Sequence, residues 1–219
     1  MPSAWLIGPL VIKSELVLLI GSFLLGIVFF RFISPYSKLE TKKRIDGIMN
    51  LFIMFVVFLW IGKILTNLST FINDPLPILT YPSDSKAFYV AVALSIVYGK
   101  FKLAKDYHQG IDVLYAWLFV FLTASFVYGF IQMIFRTAVF SWQYLGLLVL
   151  LLILFIWQQD KLSKENLVFT GLLSWSIGQW LLAVFSRTTV FQFNLSFWFY
   201  AVVLIVSVIL TIYGKKVKQ

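Results

Sequence analysis

The 219-residue chain contains no cysteine, and only 12% of its residues are charged. Without cysteine it forms no disulfide, thiolate metal site, cysteine nucleophile or acylated cysteine. The single histidine, His108, has no second histidine to join it, and the motifs of serine hydrolases, phosphate loops and zinc proteases are missing. We therefore predict no metal site, no cofactor and no catalytic residue of a standard type. Soluble domains carry about 25% charged residues, so an ordinary soluble domain is excluded as well.

Apolar residues are what the chain has in excess, since 61% of it is hydrophobic. About 20 apolar residues cross a hydrocarbon core. Seven runs approach that length: 14–33, 47–66, 87–101, 111–135, 142–158, 166–186 and 196–214. The third run is the weakest, so six spans remain an alternative. We predict an all-α fold, a polytopic membrane helix bundle that forms one transmembrane domain over residues 1–219, with no separate soluble domain.

Basic residues set the predicted orientation. The net charge is +9, but the lysines and arginines lie in short loops, whereas nucleic-acid binding needs them gathered on one solvated face. Short loops rich in lysine and arginine stay in the cytoplasm. Thirteen basic residues follow odd-numbered runs: Arg31, Lys38, Lys42, Lys43, Arg44, Lys100, Lys102, Lys105, Lys161, Lys164, Lys215, Lys216 and Lys218. Four lie in the alternate connections: Lys13, Lys86, Arg136 and Arg187. This asymmetry predicts an outer N-terminus, a cytoplasmic C-terminus and no nucleic-acid partner.

Charged residues inside a span are costly, by about 2.5 to 3.5 kcal/mol at the bilayer centre. Lys63 lies in the second run, close to its outer boundary. One interpretation is that its ammonium extends to the outer interface. The other is that Lys63 binds a lipid phosphate or Glu15, which opens the first run on the same side. Both interpretations stay open at this point.

Two glutamines in the spans, Gln132 and Gln179, need hydrogen-bond partners when they are buried. Arg136 and Arg187 follow them toward the outer side, where with Lys63 they could form a cationic cluster facing lipid phosphates. Each arginine could instead anchor its own helix. Small residues that share a helix face with these glutamines predict close helix packing: Ser125 and Gly129 in the fourth run, and Gly171, Ser174 and Gly178 in the sixth.

Helix ends carry further signals. Asp46 and Asp112 begin the second and fourth runs, where a carboxylate favours the helix dipole, so we predict that they cap these helices. Trp142 and Tyr144 open the fifth run and are predicted interface anchors. The proline- and asparagine-rich stretch 67–85 indicates a re-entrant or interfacial loop.

Several short motifs occur in order along the chain: IGPLVIK at 7–13, LIGSFLLG at 19–26, IGK at 61–63, NDPL at 73–76, and the segments 172–187 and 197–216. In this order they resemble the bacterial prolipoprotein diacylglyceryl transferase family. The resemblance implies seven spans with the orientation given above and a place in the bacterial cytoplasmic membrane. It also implies an anionic phospholipid similar to phosphatidylglycerol as the bound partner.

The sequence departs from the family at the motifs that carry the family's chemistry. Where the family carries His-Gly-Gly, residues 85–89 read SKAFY, and where it carries Gly-Arg-x-Gly-Asn-Phe, residues 129–134 read GFIQMI. Where the family carries a late Arg-Phe motif, this sequence has Gln179 and Trp180. The family's head domain, which would lie between Arg136 and Trp142, is missing. The resemblance therefore implies the fold without diacylglyceryl transfer.

Three functions are compatible with these observations. The leading one is binding of phospholipid, or of a membrane partner such as another membrane protein or a lipoprotein, with lipid contacts from Lys63, Arg136, Arg187, Glu15, Gln132 and Gln179. The second is an active diacylglyceryl or acyl transferase in lipoprotein biosynthesis that uses Lys63, Glu15 and Arg136 instead of the family's residues. The third is a small-solute transporter, against which stands the lack of internal repeats and broken helices.

The charge asymmetry predicts which loops are accessible from outside the cell. In the cysteine-free background, we expect Asp74→Cys and Ser141→Cys to react with an impermeant maleimide in intact cells. Lys43→Cys, Lys105→Cys, Lys164→Cys and Lys216→Cys should react only after the membrane is opened. Labelling of position 105 without labelling of position 74 would overturn the predicted orientation.

Overall fold

The computed structural model describes residues 4–7, 10–75, 78, 83–103, 106–135, 142–185 and 188–217, with side chains from Ser14 onward except those of 213 and 215–217. The chain forms two compact units. The first comprises Met1–Tyr36 and Leu114–Gln219, and the second comprises Ser37–Val113. The prediction that both belong to one transmembrane domain stays a prediction.

Helices make up most of the described chain. In order they are α1 (Ser14–Ile33), α2 (Lys38–Thr66), α3 (Leu68–Asn73), α4 (Ser85–Tyr98), α5 (Tyr107–Phe135), α6 (Trp142–Gln158), α7 (Lys164–Phe185) and α8 (Phe197–Val217). A π-helical turn, Gly99–Leu103, continues α4. Two antiparallel hairpins pair β1 (Ala4–Ile7) with β2 (Leu10–Lys13), and β3 (Thr189–Val190) with β4 (Phe193–Asn194). The predicted helical class is confirmed, and each of the seven apolar runs contains a helix.

Four of these helices, α1, α2, α5 and α7, are long and apolar enough to cross a membrane. Helix α6 and the segment Phe197–Ile212 of α8 are apolar but shorter. The chain is therefore a membrane protein by the length and composition of its helices. The count of seven crossings and the orientation stay predictions.

The predicted caps at Asp46 and Asp112 are wrong, because both helices begin earlier. Helix α2 starts at Lys38, and the Ser37 side chain accepts a hydrogen bond of 3.3 Å from the backbone N–H of Glu40. Asp106 caps α5 in the same way, through the backbone N–H of Gln109 at 2.8 Å. Asp112 lies in the second turn of α5 and forms an ion pair with Arg44 of α2 inside the second unit.

Helix α5 is the centre of the first unit. Residues 118–125 are all buried, so no face of this stretch is left open. A Cβ on Gly26 of α1 would lie 2.8 Å from the Val120 carbonyl oxygen, so the two backbones touch. On α7, a Cβ on Gly171 would lie 2.7 Å from Leu118 and 2.6 Å from Phe155 of α6. The predicted packing role of Gly171 is confirmed.

Helices α2 and α4 form the second unit by antiparallel packing. A Cβ on Gly62 would lie 2.6 Å from the Ala87 carbonyl oxygen, at one end of the pair. At the other end, a Cβ on Gly47 would lie 3.8 Å from Leu103 in the π-helical turn. Gly62 therefore allows a contact between backbones that no larger residue permits.

The β3–β4 hairpin folds back along the first unit. Its turn residue Phe191 has φ of 52°, a left-handed conformation that is rare for a bulky residue. The Phe191 ring lies 5.2 Å from Phe23 of α1, and 5.9 and 5.5 Å from Phe121 and Tyr128 of α5, between ring centroids. Tyr128 is seven residues before the end of α5, about 10 Å along its axis. This hairpin was not predicted from the sequence.

The stretch 67–85, where a re-entrant or interfacial loop was predicted, begins with the short helix α3. Leu68 and Ile72 of α3 are largely exposed, whereas Ile78 is buried. Residues 76–77 and 79–82 lie outside the described part of the chain. The prediction for this stretch stays a prediction.

The contact between Gly62 and Ala87 predicts a position-specific cost. Gly62→Val places a side chain against backbone, so we expect a loss of about 1 to 3 kcal/mol or more in unfolding free energy. Gly21→Val is the matched control, because a Cβ on Gly21 meets nothing within 4 Å. The melting temperatures of the two variants, measured by thermal unfolding in the same detergent, test this expectation. Equal melting temperatures for the two variants would contradict the close approach.

Candidate functional site

Lys63 is buried near the C-terminal end of α2, with 7% of its surface exposed. Its ammonium lies 5.3 Å from the centroid of the Trp60 ring, and the carboxylate of Asp84 attracts it electrostatically. Asp84 also caps α4, where it accepts a hydrogen bond of 2.9 Å from the Ala87 backbone N–H. The charge of Lys63 therefore has an aromatic and an acidic neighbour within the second unit. Neither was foreseen from the sequence, and the predicted binding of phosphate stays a prediction.

The described structure does not test whether the other predicted charged residues lie together. Glu15 lies in the first turn of α1 and is exposed. It belongs to the first unit and Lys63 to the second, so their pairing stays a prediction. Arg136 and Arg187 lie outside the described residues, and the predicted cationic cluster stays a prediction with them. Arg136 follows directly on Phe135, the last residue of α5.

Gln132 lies on the inner side of α5, with 2% of its surface exposed. Its Nε2 donates a hydrogen bond of 2.9 Å to the hydroxyl of Tyr128, one turn earlier. The expectation that this buried amide has a hydrogen-bond partner is confirmed. Because the Tyr128 ring also packs on Phe191, the pair fixes a polar group directly under the hairpin turn.

A buried polar cluster, composed of Ser125, Tyr144, Trp175 and Gln179, lies where α5, α6 and α7 meet. Tyr144 has 2% of its surface exposed and Gln179 has none. The polar groups of Trp175, Ser125 and Gln179 lie next to the Tyr144 hydroxyl. Tyr144 is therefore a core residue, and its predicted role as an interface anchor is wrong. Trp142, two residues earlier, is 68% exposed, as an interface residue should be.

A groove runs along the face of α6 that lies opposite to Tyr144, and we name it the α6 groove. It is shallow and open, with a volume of about 560 Å³. The lining is apolar throughout and consists of Met133, Trp142, Leu145, Gly146, Val149, Leu150, Ile153 and Leu154. A Cβ on Gly146 meets nothing within 4 Å, so the groove is open above this residue.

The described residues contain no group of three histidine, aspartate or glutamate side chains that could hold a metal ion. No protein-family model, curated protein or solved structure matches the chain. The family relationship inferred from the short motifs is therefore neither supported nor opposed by comparison.

The sequence contained a signal for the core role of Tyr144. Tyr144, Leu148, Leu151 and Phe155 are the buried residues of α6. Their spacing of four, three and four residues is the periodicity of a single helix face. The polar residues of α5 and α7 that meet Tyr144 come from distant parts of the chain, so the cluster itself carried no local signal.

Proposed function

We propose that the chain is a multi-span protein of the bacterial cytoplasmic membrane that binds an anionic phospholipid in the α6 groove and transfers no diacylglyceryl group. The observation that carries this proposal is the shape and lining of the groove. An open apolar groove suits an acyl chain, because it offers dispersion contacts and almost no polar group that would lose water.

The length of the groove agrees with one leaflet. From Trp142 to Leu154 the α6 helix rises about 18 Å, at about 1.5 Å per residue. Half of a hydrocarbon core of about 30 Å is about 15 Å. An acyl chain that enters beside Trp142 can therefore follow the groove through the depth of one leaflet.

The anionic headgroup is proposed from residues that follow the groove residue Met133 along the chain. Met133 lines the groove, and Arg136 is three residues further along the chain. Trp142, the first residue of α6, follows the same connection at its other end, and tryptophan favours the headgroup region of a membrane. A charge-assisted hydrogen bond from an arginine to a phosphate contributes about 1.5 to 3 kcal/mol. Arg136 is thus the proposed phosphate ligand, and the lipid class is similar to phosphatidylglycerol.

Seven crossings with an outer N-terminus are part of the proposal. Support comes from the helix found in each apolar run and from the position of the thirteen basic residues. The third run is the short one, and α4 with its π-helical turn extends it from Ser85 to Leu103. At about 1.5 Å per residue this length reaches about 28 Å, close to the core thickness.

Filling the groove should displace the lipid. Gly146→Phe places a ring in the open space above α6, so we expect the amount of phospholipid that co-purifies per protein to fall several-fold. Arg136→Gln should reduce the anionic phospholipids selectively, because it removes the charge and keeps hydrogen-bonding capacity. Quantitative mass spectrometry of the extracted lipid measures both effects.

Gly21→Phe is the control for the first variant, because Gly21 is a second glycine with free space around its Cβ, on a different helix. It should leave lipid retention and melting temperature unchanged. If Gly146→Phe keeps the parent's lipid content while both variants are well folded, the α6 groove is not the lipid site.

The missing His-Gly-Gly and arginine motifs predict the absence of transferase activity. We expect that the chain does not restore lipoprotein modification in cells depleted of their diacylglyceryl transferase, although it inserts in the membrane normally. The readout is the mobility and mass of a reporter lipoprotein. Restored modification would reject this part of the proposal, and Lys63, Glu15 and Arg136 would become the candidate catalytic residues.

A further inference from the structure

We infer that the buried polar cluster is a second binding site, which takes one uncharged hydroxyl group between α5, α6 and α7. The hydroxyl belongs either to a water molecule or to the headgroup of a neutral lipid. This site lies on the buried face of α6, whereas the α6 groove lies on its exposed face. The inference is therefore independent of the proposed function.

Gln179 is the residue that carries this inference. Its side chain is completely buried, and neither its Nε2 nor its Oε1 makes a well-formed hydrogen bond with any described residue. The same holds for the hydroxyl of Ser125 and the indole N–H of Trp175. Three polar side chains from two helices thus lie around Tyr144, and each has a donor or acceptor that can take a further hydrogen bond.

The Tyr144 hydroxyl alone cannot satisfy this capacity. A phenol donates one hydrogen bond and accepts at most two, whereas the amide of Gln179 by itself offers two donors and an acceptor. Ser125 and Trp175 each add a further donor. Even when Tyr144 bonds to all three neighbours, part of the Gln179 amide is left over, and it needs one more small group that both donates and accepts.

The location makes an unsatisfied amide costly. Gln179 is six residues before the end of α7, about 9 Å along the helix axis. Polar groups at such depth in a membrane have no bulk water to bond, and buried polar groups in proteins are almost always paired with protein atoms or with bound water. A hydroxyl is the group that matches, because every member of the cluster is uncharged and a charged ligand would find no counter-ion there.

Three substitutions test the site by the sign of their effect. Gln179→Met keeps the volume and removes the amide, Tyr144→Phe removes one hydroxyl, and Ser125→Ala removes the other. If a hydroxyl ligand is bound, each change lowers the melting temperature by several degrees, because the ligand is lost. If the amide is an unsatisfied group, Gln179→Met raises the melting temperature instead, since the cost of burying it disappears. Leu148→Met, at a completely buried site on α6, controls for methionine in this core.

Two lipid probes identify the source of the hydroxyl. Monoolein and methyl oleate share one acyl chain, but only monoolein has free hydroxyl groups. A lipid hydroxyl in the cluster predicts that monoolein raises the melting temperature of the parent in a concentration-dependent way. Methyl oleate should have no effect, and Gln179→Met should abolish the response to monoolein.

A bound water predicts no response to either lipid. It predicts that the effects of Ser125→Ala and Gln179→Met are non-additive, and that this coupling persists in the Tyr144→Phe background because the water bridges the two residues. The inference is overturned if Gln179→Met leaves the melting temperature unchanged or raises it. It is equally overturned if the coupling disappears with Tyr144→Phe and monoolein has no effect.

Discussion

The complete burial of α5 between residues 118 and 125 is the constraint on which the first unit depends. A helix surrounded on all sides needs neighbours that approach closely, and the glycines of α1 and α7 provide this approach at Val120 and Leu118. Aromatic side chains fill the spaces that remain, as Phe155 does against Phe119 at 4.9 Å between ring centroids. The polar residues of α5 are held in the same interior, where Gln132 bonds to Tyr128 one turn earlier on the same helix and Ser125 faces polar groups of α6 and α7.

Much of the fold was readable from the sequence, because apolar runs bounded by charged loops predict helices directly. The start of α2 was misjudged by following hydropathy, although Ser37 and Glu40 form a capping-box pattern that marks it. The β3–β4 hairpin was missed for a different reason. Left-handed turns are usually signalled by glycine or asparagine, whereas here Phe191 adopts this conformation and three aromatic neighbours stabilise it.

The candidate sites were predictable only in part. Gln132 and Gln179 were identified because amides are rare inside spans, and both are buried. Asp84 could not be connected with Lys63, nor Asp112 with Arg44, because such pairs depend on which helices become neighbours and leave no local pattern. The α6 groove has the same origin, since it is formed between the end of α5 and the outer face of α6.

The order of the two units along the chain affects how the protein is synthesised. The second unit is continuous in sequence and is inserted between α1 and the later helices of the first unit. It can therefore complete its α2–α4 pair while the ribosome is still translating α6. Helix α1 can pack on α5 through Gly26 and Val120 at an early stage, but its contact between Phe23 and Phe191 forms only after the far end of the chain has been made. During that interval Phe23 lacks its partner in the hairpin, and this is the stage at which misassembly of the first unit would begin.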